Sequence, residues 1–302
     1  MGLFHCPIGA AYYDDDACID CGLCNATTSE EKVEASRKIR EYIRSHAVKS
    51  RRVSKIAVCG KGGVGKSTIT VLLARALAEA GYRVVVLDSD DSNPCLARML
   101  GLDSYPRPLG EYFNGKDDAA QSARISIGEL PAGYTKSSGG ISFMLTGKIY
   151  DPFQGCSCSL AESARRIVEK LALGEKEVLL LDTEAGVESF GRGVERDVDT
   201  VIAVVEPSYG SIELAARISD MAQGMGISRV GAVLNKVTDE ETKARLLQKL
   251  AEKGVRVLAT VSYNPAMARA SFEGEKLLLE SCGEEKKVLA ELVEKMVAGE
   301  AI

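Results

Sequence analysis

The chain has 302 residues, of which 45% are hydrophobic and 27% charged, and this composition is typical of a soluble globular protein. Its formal net charge of −5 at pH 7 gives no electrostatic reason to expect a nucleic acid as partner. No apolar run approaches the roughly 18 residues of a membrane span, so we expect no membrane partner. We therefore predict a cytoplasmic protein. In that compartment thiols stay reduced, so clustered cysteines are interpreted as metal ligands or redox groups in preference to disulfides.

Residues 1–27 form a cysteine-rich segment that contains CPIGAAYYDDDACIDCGLC at 6–24. Its end has the C-x₂-C-x₂-C spacing of bacterial ferredoxin ligands. These three cysteines are one ligand short of a 4Fe–4S cluster. In two-cluster ferredoxins the cysteine before proline binds the other cluster, so the fourth ligand would come from an upstream C-P. The segment therefore resembles part of a ferredoxin and predicts one 4Fe–4S cluster, with a Cys₄ zinc site as the competing interpretation. The predicted ligands are Cys6, Cys18, Cys21 and Cys24.

Residues 28–50 predict a linker helix. Thr28 and Glu31 are spaced as a capping box at its start. Apolar residues then recur at helical spacing, which predicts one buried face. The residues expected on that face are Val33, Ile39, Ile43 and Ala47.

Residues 51–302 alternate apolar, β-branched runs with helical patterns. The runs are near-continuously apolar, as parallel strands buried on both faces are. This alternation predicts an α/β domain with a mostly parallel, helix-flanked sheet. Residues 103–140 are rich in Gly, Pro, Asp and Ser, and we expect them to be irregular. The predicted strands are KIAVCG, RVVVLD, ISFML, EVLLLD, TVIAVVE, RVGAVLN and VRVLATV.

A glycine-rich loop, GKGGVGKST at 60–68, lies between the first predicted strand and a helix. It fits the G-x-x-x-x-G-K-[ST] pattern in its strand–loop–helix context, which predicts a P-loop NTPase. Backbone N–H groups of such a loop surround phosphate oxygens, and the helix N-terminus adds positive potential. We expect Lys66 to reach the β- and γ-phosphates and the Ser67 hydroxyl to bind Mg²⁺. The residues assigned to ATP and Mg²⁺ in this loop are Gly60, Gly62, Gly63, Val64, Gly65, Lys66, Ser67 and Thr68.

The K-G-G-V-G-K-S form of the loop resembles that of the deviant Walker A ATPases. That group includes the nitrogenase iron protein, the Min and Par ATPases and the metal-insertion ATPases. The resemblance implies a homodimer that encloses two ATP molecules. It also implies that Lys61 crosses the interface to the partner's phosphates, where its charge would act in trans as an arginine finger does.

Other candidate residues follow predicted strands, where ligands of open α/β sheets bind. Asp88 and Asp90 form a D-x-D. Asp88 is assigned to the ATP and Mg²⁺ site, and the superfamily resemblance assigns the attacking water to Asp90. Asp182 resembles the Walker B aspartate that holds Mg²⁺ through water. Gly186 would give flexibility to a segment that senses the γ-phosphate. Asn235 is expected to pair with the adenine edge, and the absence of a guanine-reading aspartate nearby favours ATP over GTP.

A second cysteine group, Cys156 and Cys158, forms a C-x-C before a predicted helix. Two thiolates are too few for a stable zinc site, but a symmetric dimer would supply four. Four sulfurs suit tetrahedral zinc or copper(I) and square-planar nickel(II), so ligand number alone does not select the metal.

Several stretches, the C-x-C included, together resemble the CooC-type ATPases, which mature the nickel–iron–sulfur centre of carbon monoxide dehydrogenase and its relatives. That resemblance implies nickel, or zinc at the same site, bound by Cys156 and Cys158 of both chains in an ATP-bound homodimer. It also implies an apo-enzyme of the carbon monoxide dehydrogenase class as partner. The stretches are GKGGVGKST, DSDDSNPCL, GCSCSLAESA, DTEAGVESFGRGV, VVEPSYGSI, VLNKV and YNPAMARASFEGE.

The leading hypothesis is an ATP-hydrolysing metallochaperone with Lys61, Lys66 and Asp90 as catalytic residues. The alternative is an ATP-dependent iron–sulfur reductase resembling the nitrogenase iron protein, in which the C-x-C would hold a bridging cluster. That family's interface cysteines lie far apart in sequence, unlike this pair. A Min- or Par-type organising ATPase ranks below both, because the tail predicts a packed final helix and neither iron nor nickel would have a purpose.

Overall fold

The apolar runs of the sequence form the centre of a parallel sheet. The computed structural model describes residues 20–46, 52–90, 95–114, 124–148 and 157–298, without the side chains of 43–46, 114, 157 and 158. Within these residues, eight strands form one sheet in the order β10-β9-β8-β1-β7-β2-β5-β4, in which only β4 is antiparallel to its neighbour. These strands are β1 (Lys55–Gly60), β2 (Arg83–Asp88), β4 (Lys136–Ser138), β5 (Ile141–Leu145), β7 (Glu177–Asp182), β8 (Thr200–Val205), β9 (Arg229–Val237) and β10 (Val257–Ser262).

Helices cover both faces of the sheet, as parallel strand connections require. Two short strands, β3 (Ile125–Ser126) and β6 (Leu171–Ala172), pair with each other beside it. The helices are α1 (Ser29–His46), α2 (Lys66–Glu79), α3 (Leu96–Leu100), α4 (Leu109–Asn114), α5 (Ser157–Lys170), α6 (Glu188–Gly191), α7 (Tyr209–Gly224), α8 (Glu240–Glu252), α9 (Pro265–Glu273) and α10 (Glu284–Val297). The predicted α/β fold with a mostly parallel sheet is therefore confirmed.

Successive residues of the central strand β1 enter two different cores. Ile56 and Val58 pack on the side of α2 and α10, whereas Ala57 and Cys59 pack on the side of α5 and α7. This alternation follows from the period of two in a strand. It explains why both faces of β1 are apolar. Because β1 and its neighbours are parallel, their carboxyl ends lie at one common edge, where the glycine-rich loop begins.

The helix predicted at 28–50 is α1, and its capping box is present. Thr28 Oγ1 accepts a hydrogen bond from the Glu31 backbone N–H at 3.2 Å, and Glu31 Oε2 accepts one from the Thr28 N–H at 3.0 Å. The predicted buried face is partly wrong, because Val33 is 66% exposed while Ala35 and Ile39 are buried. Val33 lies two residues before Ala35, which is about 200° around the helix. Contacts with α7 therefore select a face that includes Ala35.

The described parts of 103–140, residues 103–114 and 124–140, are more regular than the composition of the segment predicts. They contain α4, the 3₁₀ turn at Ile127–Glu129 and the antiparallel edge strand β4. Ser126 and Glu129 form a second capping box at that 3₁₀ turn, so local polar side chains rather than apolar periodicity organise it. Among the described residues, no helix combines the length and the apolar character needed to cross a membrane.

Candidate functional site

The glycine-rich loop leads from β1 into α2 and requires glycine at both ends. A Cβ on Gly60 would lie 2.7 Å from the Val204 carbonyl oxygen, so only glycine allows β1 to approach β8 this closely. Gly65 precedes α2 with a left-handed φ of 96°. Lys66 is the first residue of α2 and is only 7% exposed, so a buried cation belongs to the helix start, where backbone N–H groups lack intrahelical partners. Positive potential thus converges where phosphates are expected.

The predicted Walker B aspartate lies directly beside the loop. Asp182 is fully buried, and its two carboxylate oxygens accept hydrogen bonds from Ser67 Oγ at 2.6 Å and Thr70 Oγ1 at 3.1 Å. Burial raises the pKa of Asp182 to about 6, against the opposing effects of Ser67 and Lys66. A hydroxyl and a carboxylate side by side are the oxygen ligands that Mg²⁺ prefers. Ser67 and Asp182 therefore fit a magnesium ion, and their binding of it stays a prediction.

The loop after β2 is held by a lysine that the sequence analysis did not identify. Lys148 Nζ lies 2.9 Å from Asp88 Oδ2, a charge contact without hydrogen-bond angles, and it donates a hydrogen bond to the Asp90 carbonyl. Asp88 Oδ1 also accepts a hydrogen bond from the Asp90 N–H at 3.1 Å. Burial raises the pKa of Asp88 to about 7, and Lys148 opposes that shift. Asp88 is thus a buried support of the loop on which Asp90 stands.

The segment expected to sense the γ-phosphate contacts the loop through its backbone. The Gly186 N–H donates to the Gly60 carbonyl at 3.1 Å, and Gly186 has a φ of 97°. A Cβ there would lie 2.1 Å from Glu188 Oε2. Thr183 Oγ1 donates to the Val58 carbonyl at 3.0 Å. A change at the phosphates can therefore reach this segment through one hydrogen bond, and the flexibility predicted for Gly186 stays a prediction.

Two side chains at the end of β9 hold the loop from the other side. Asn235 Nδ2 donates to the Val64 carbonyl at 2.8 Å, and Lys236 Nζ donates to the Gly63 carbonyl at 2.5 Å. Glu206 holds the same ammonium at 3.0 Å, and Lys236 has a φ of 59°, which is rare outside glycine. The Asn235 amide nitrogen already donates to the Val64 carbonyl of the loop. Its predicted contact with adenine stays a prediction. The role of Lys236 was missed, since it depends on a contact 173 positions away in sequence.

A cleft of about 300 Å³ opens beside this loop. Its walls include Gly63, Asn235 and Tyr263, together with Asn264 and Met267 at the start of α9. That volume lies at the small end of ligand sites, and the mix of apolar and amide groups suits one nucleoside. The cleft is continuous with the phosphate loop, so ATP would extend from it towards Lys66.

Lys61 lies on the outer side of the loop and is exposed. Its Nζ would be 3.6 Å from a Cβ on Gly210, near the N-terminus of α7. The N-terminal end of a helix carries positive partial charge, so this position does not stabilise an ammonium group. The exposure agrees with the predicted role across a dimer interface, which stays a prediction.

The predicted metal ligands are described only in part. Cys6, Cys18 and Cys156 lie outside the described residues, and for Cys158 the structure describes only the backbone, in the first turn of α5. The remaining two predicted ligands, Cys21 and Cys24, are free thiols. Cys21 is half-buried and Cys24 exposed.

The turn that carries Cys21 and Cys24 fits a cluster ligand set. Gly22 between them has a left-handed φ of 82°, and a short 3₁₀ turn follows at Leu23–Asn25. Accessible thiols on a tight turn are chemically suited to bind iron or zinc. No group of three metal-ligating side chains forms among the described residues, so the ligand set stays a prediction.

One buried carboxylate near the site was not anticipated. Glu195 is completely buried, and within the described part of the chain neither of its oxygens has a hydrogen-bond partner of good geometry. Burial raises its pKa to about 7, and the nearby Ser189 hydroxyl opposes the shift without reaching hydrogen-bond geometry. The turn that holds Glu195, Val194–Asp197, contacts α5 and α6. The sequence offers no signal for this burial, since Glu195 lies in a charged run, GRGVERD.

Comparison with known proteins supports the nucleotide site. Residues 55–278 match the family described as CobQ/CobB/MinD/ParA nucleotide binding domain. An uncharacterized ATP-binding protein of Methanocaldococcus jannaschii is 38% identical over 74% of this chain and 93% of its own length. The carbon monoxide dehydrogenase accessory protein CooC of Rhodospirillum rubrum is 31% identical over 73% of this chain and 88% of its own.

A solved structure agrees in fold. The septum site-determining protein MinD of Pyrococcus horikoshii, in complex with Mg-ADP, superposes with a TM-score of 0.61. The match covers 81% of this chain and 95% of that protein at 18% sequence identity. At that identity the likeness is one of fold alone. It places β1, the glycine-rich loop and α2 within a fold that holds Mg-ADP in that relative.

Proposed function

The chain belongs to the family of CobQ/CobB/MinD/ParA nucleotide binding domains, and from this premise we propose that it is an ATP-hydrolysing, dimeric metallochaperone. It is a P-loop NTPase that binds ATP. In the proposed function its cargo is nickel, held by Cys156 and Cys158 of both chains in a homodimer. Its client is an apo-enzyme of the carbon monoxide dehydrogenase class, which receives the metal.

One observation carries the metal part of the proposal. Cys158 lies in the first turn of α5, and the positive end of a helix favours anionic ligands such as thiolates. Similarity over 73% of the chain to an accessory protein of carbon monoxide dehydrogenase supports the choice of client. Four thiolates from two chains form a ligand set that nickel(II) accepts.

The proposed cycle uses charge at each step. Lys66 and the start of α2 bind the phosphates, and Ser67 and Asp182 would hold Mg²⁺, which neutralises the developing negative charge. Lys61 reaches the ATP of the partner subunit and so links ATP binding to dimer closure. Closure brings the two C-x-C pairs together, and Asp90 orients the water that ends the closed state. Release of the metal follows hydrolysis.

The N-terminal segment adds a second metal centre in this proposal. Cys6, Cys18, Cys21 and Cys24 would bind one 4Fe–4S cluster, which could supply electrons to the client. The helix α1 joins that segment to the ATPase and contacts α7. The aliphatic part of Arg40 lies over Gly224, where a Cβ would be 3.0 Å from Arg40 Cδ. The segment that follows the cluster ligands is therefore packed on the ATPase.

Metal content of anaerobically purified protein tests the proposal. Nickel and iron per chain are measured by mass spectrometry with ADP and with a non-hydrolysable ATP analogue. We expect about half a nickel per chain with the ATP analogue, since one ion is shared by two chains. A variant with Cys156→Ala and Cys158→Ala should lose it, whereas the matched exposed thiol variant Cys95→Ala should not. Iron should stay near four per chain in both variants.

Other results would contradict specific parts. About six irons per chain, falling to four in the Cys156→Ala/Cys158→Ala variant, would indicate a cluster shared between subunits and would favour the ATP-dependent reductase. Zinc in place of iron would overturn the N-terminal cluster. Nickel that stays bound after both thiols are removed would overturn the C-x-C site.

A further inference from the structure

A short connector after β5 contacts both the nucleotide site and the helix that begins at the C-x-C. This connector, residues 146–148, is buried throughout. On one side the Thr146 N–H donates to the Asp88 carbonyl at 2.9 Å. On the same side Lys148 holds the Asp88 carboxylate at 2.9 Å and the Asp90 carbonyl, with its own side chain only 3% exposed. The connector thus supports the loop of Asp90 by three separate contacts.

On its other side the connector lies against α5 without free space. A Cβ on Gly147 would lie 2.6 Å from Leu160 Cδ2, two residues after Cys158. The Thr146 carbonyl also accepts a hydrogen bond from the Gly110 N–H at 3.1 Å, and a Cβ on Gly110 would lie 3.3 Å from Ser163 Oγ of α5. Displacement of residues 146–148 therefore displaces the first turns of α5, because close-packed groups transmit strain.

We propose that Lys148 is a positioning residue for ATP hydrolysis, and that the 146–148 connector couples the Asp88–Asp90 loop to the C-x-C end of α5. Lys148 places Asp90 by fixing its backbone carbonyl while it neutralises Asp88 beneath. The metal-handling meaning of this coupling rests on the proposed function, but the coupling itself does not.

Two features of Lys148 exceed what structural support alone would need. A buried ammonium that only compensated Asp88 could approach it from any side, yet this one also reaches the carbonyl of the residue assigned to water activation. Gly147, next to it, packs directly against Leu160, so no free space can absorb a movement of the connector. When Asp90 rearranges around ATP, its carbonyl cannot move without Lys148, and Lys148 cannot move without Gly147 shifting against Leu160.

The positioning role is tested by hydrolysis kinetics of Lys148→Met in the full chain. We expect kcat to fall about 10²-fold, because small misplacement of a catalytic group has effects of that size. KM for ATP should stay within about threefold, since the phosphate loop is untouched. Lys148→Met leaves the buried Asp88 carboxylate without its cation and could unfold the protein for that reason alone. Combining it with Asp88→Asn removes that charge and so controls for loss of activity through unfolding.

The comparison of Asp88→Asn with Asp88→Asn/Lys148→Met separates positioning from charge compensation. If Lys148 only neutralised Asp88, the two variants would have the same kcat. We expect the double variant to be about tenfold slower, which corresponds to one lost hydrogen bond from a charged donor. Thermal unfolding shows whether both variants are folded, and equal kcat values in the folded variants would overturn the positioning role.

The coupling is tested by the alkylation rate of Cys158, resolved by peptide mass spectrometry on metal-free protein. In the wild type we expect rates with ADP and with a non-hydrolysable ATP analogue to differ about tenfold. Lys148→Met and Asp88→Asn/Lys148→Met should bring that ratio to about one. A wild-type ratio of one, or a ratio that survives in the variants, would overturn the coupling. Nickel measured on separate, unalkylated portions of the same proteins after reloading tests the metal function separately, because absent nickel with a nucleotide-dependent Cys158 rate would contradict only that function.

A matched change on the α5 side completes the test. Gly147→Ala pushes against Leu160 without removing a contact to Asp88, so the Cys158 ratio should change. Adding Leu160→Ala makes room for the new methyl group and should restore the ratio. A Cys158 ratio that is the same in Gly147→Ala as in the wild type would overturn the contact with α5 as the route.

Discussion

The nucleotide site and the N-terminal cysteine turn are built by different means. Asp182 and Asp88 are completely buried at strand ends, and the phosphate loop is held by hydrogen bonds from Asn235 and Lys236. Cys24, by contrast, is exposed on a turn after a left-handed glycine. The first site is preformed by packing, whereas the second offers accessible thiols that a metal would organise. Rigidity and accessibility are thus divided between the two regions.

The largest expected effect that separates the two regions is thiol reactivity. Cys24 should react with an alkylating reagent about 10⁴-fold faster than Cys59, which is fully buried and reacts only when the core opens. Burial also raises the pKa of Cys59, so less thiolate is present. Site-resolved labelling of chelator-treated protein measures both rates. Cys282, fully buried in the other core, is the control and should be as slow as Cys59. Comparable rates at Cys24 and Cys59 would show that the nucleotide domain opens readily.

The same division explains what the sequence alone could predict. The glycine-rich loop is one contiguous stretch, and each sheet strand that was predicted ends within two residues of its predicted bounds, because apolar runs between helices carry that signal. Lys148 was missed because its role depends on β5 lying beside β2, and the stretch TGK after ISFML has no pattern of its own. Val33 was misplaced because α1 has more than one apolar stripe and only contact with α7 selects the buried one.

Lys61→Ala tests whether the exposed side of the loop belongs to a second subunit. We expect kcat for ATP hydrolysis to fall about 10³-fold, as when an arginine finger is removed, with little change in ATP affinity. Steady-state hydrolysis and calorimetric ATP binding measure the two effects. Lys287→Ala, an exposed lysine on α10, is the control and should leave both unchanged.

Mixed dimers then locate the action of Lys61. An equal mixture of Lys61→Ala and Asp90→Asn chains should recover about a quarter of wild-type activity, since half of the dimers are mixed and each contains one complete site. If Lys61 acts within its own chain, neither chain of a mixed dimer is complete and no activity returns. That result would remove the dimer from the proposed cycle.

Glu195→Gln tests the consequence of burial without compensation. Glu195 has its pKa raised to about 7 by burial, whereas in the unfolded chain it titrates near the ordinary value of a glutamate. The folded state therefore holds a proton that the unfolded state has lost between about pH 4.5 and 7, and stability falls as pH rises through that window. Above about pH 7, the free energy of unfolding of the variant should exceed that of the wild type by about 3 kcal/mol. Below about pH 4.5 the two proteins should be equally stable. Urea unfolding at several pH values measures this, with exposed Glu291→Gln as the control. If the free energy of unfolding depends on pH in Glu195→Gln as it does in the wild type, the Glu195 carboxylate is hydrated.

Gly65→Ala tests how far close approach, rather than charge, specifies the nucleotide site. Its φ of 96° strains any L-residue, and a Cβ would lie 2.3 Å from Asn235 Nδ2, which holds the Val64 carbonyl. We expect a loss of about 2 kcal/mol in the free energy of unfolding, and weaker ATP binding because Asn235 must move. Gly81→Ala is the matched control, with a φ of 86° and nothing within 4 Å, so it should lose only about 1 kcal/mol and no ATP affinity.

The clash and the strain can be separated by a second change at Asn235. Asn235→Ala removes the amide that a methyl group on residue 65 would meet, at the loss of one hydrogen bond to the loop. Adding Gly65→Ala to Asn235→Ala should then destabilise no more than Gly81→Ala does in the wild type, because only backbone strain remains. If the added loss is still about 2 kcal/mol, the contact with Asn235 does not explain the glycine. The phosphate loop would then require glycine for its backbone conformation alone, as the turn between Cys21 and Cys24 does at Gly22, where no atom lies within 4 Å of a Cβ.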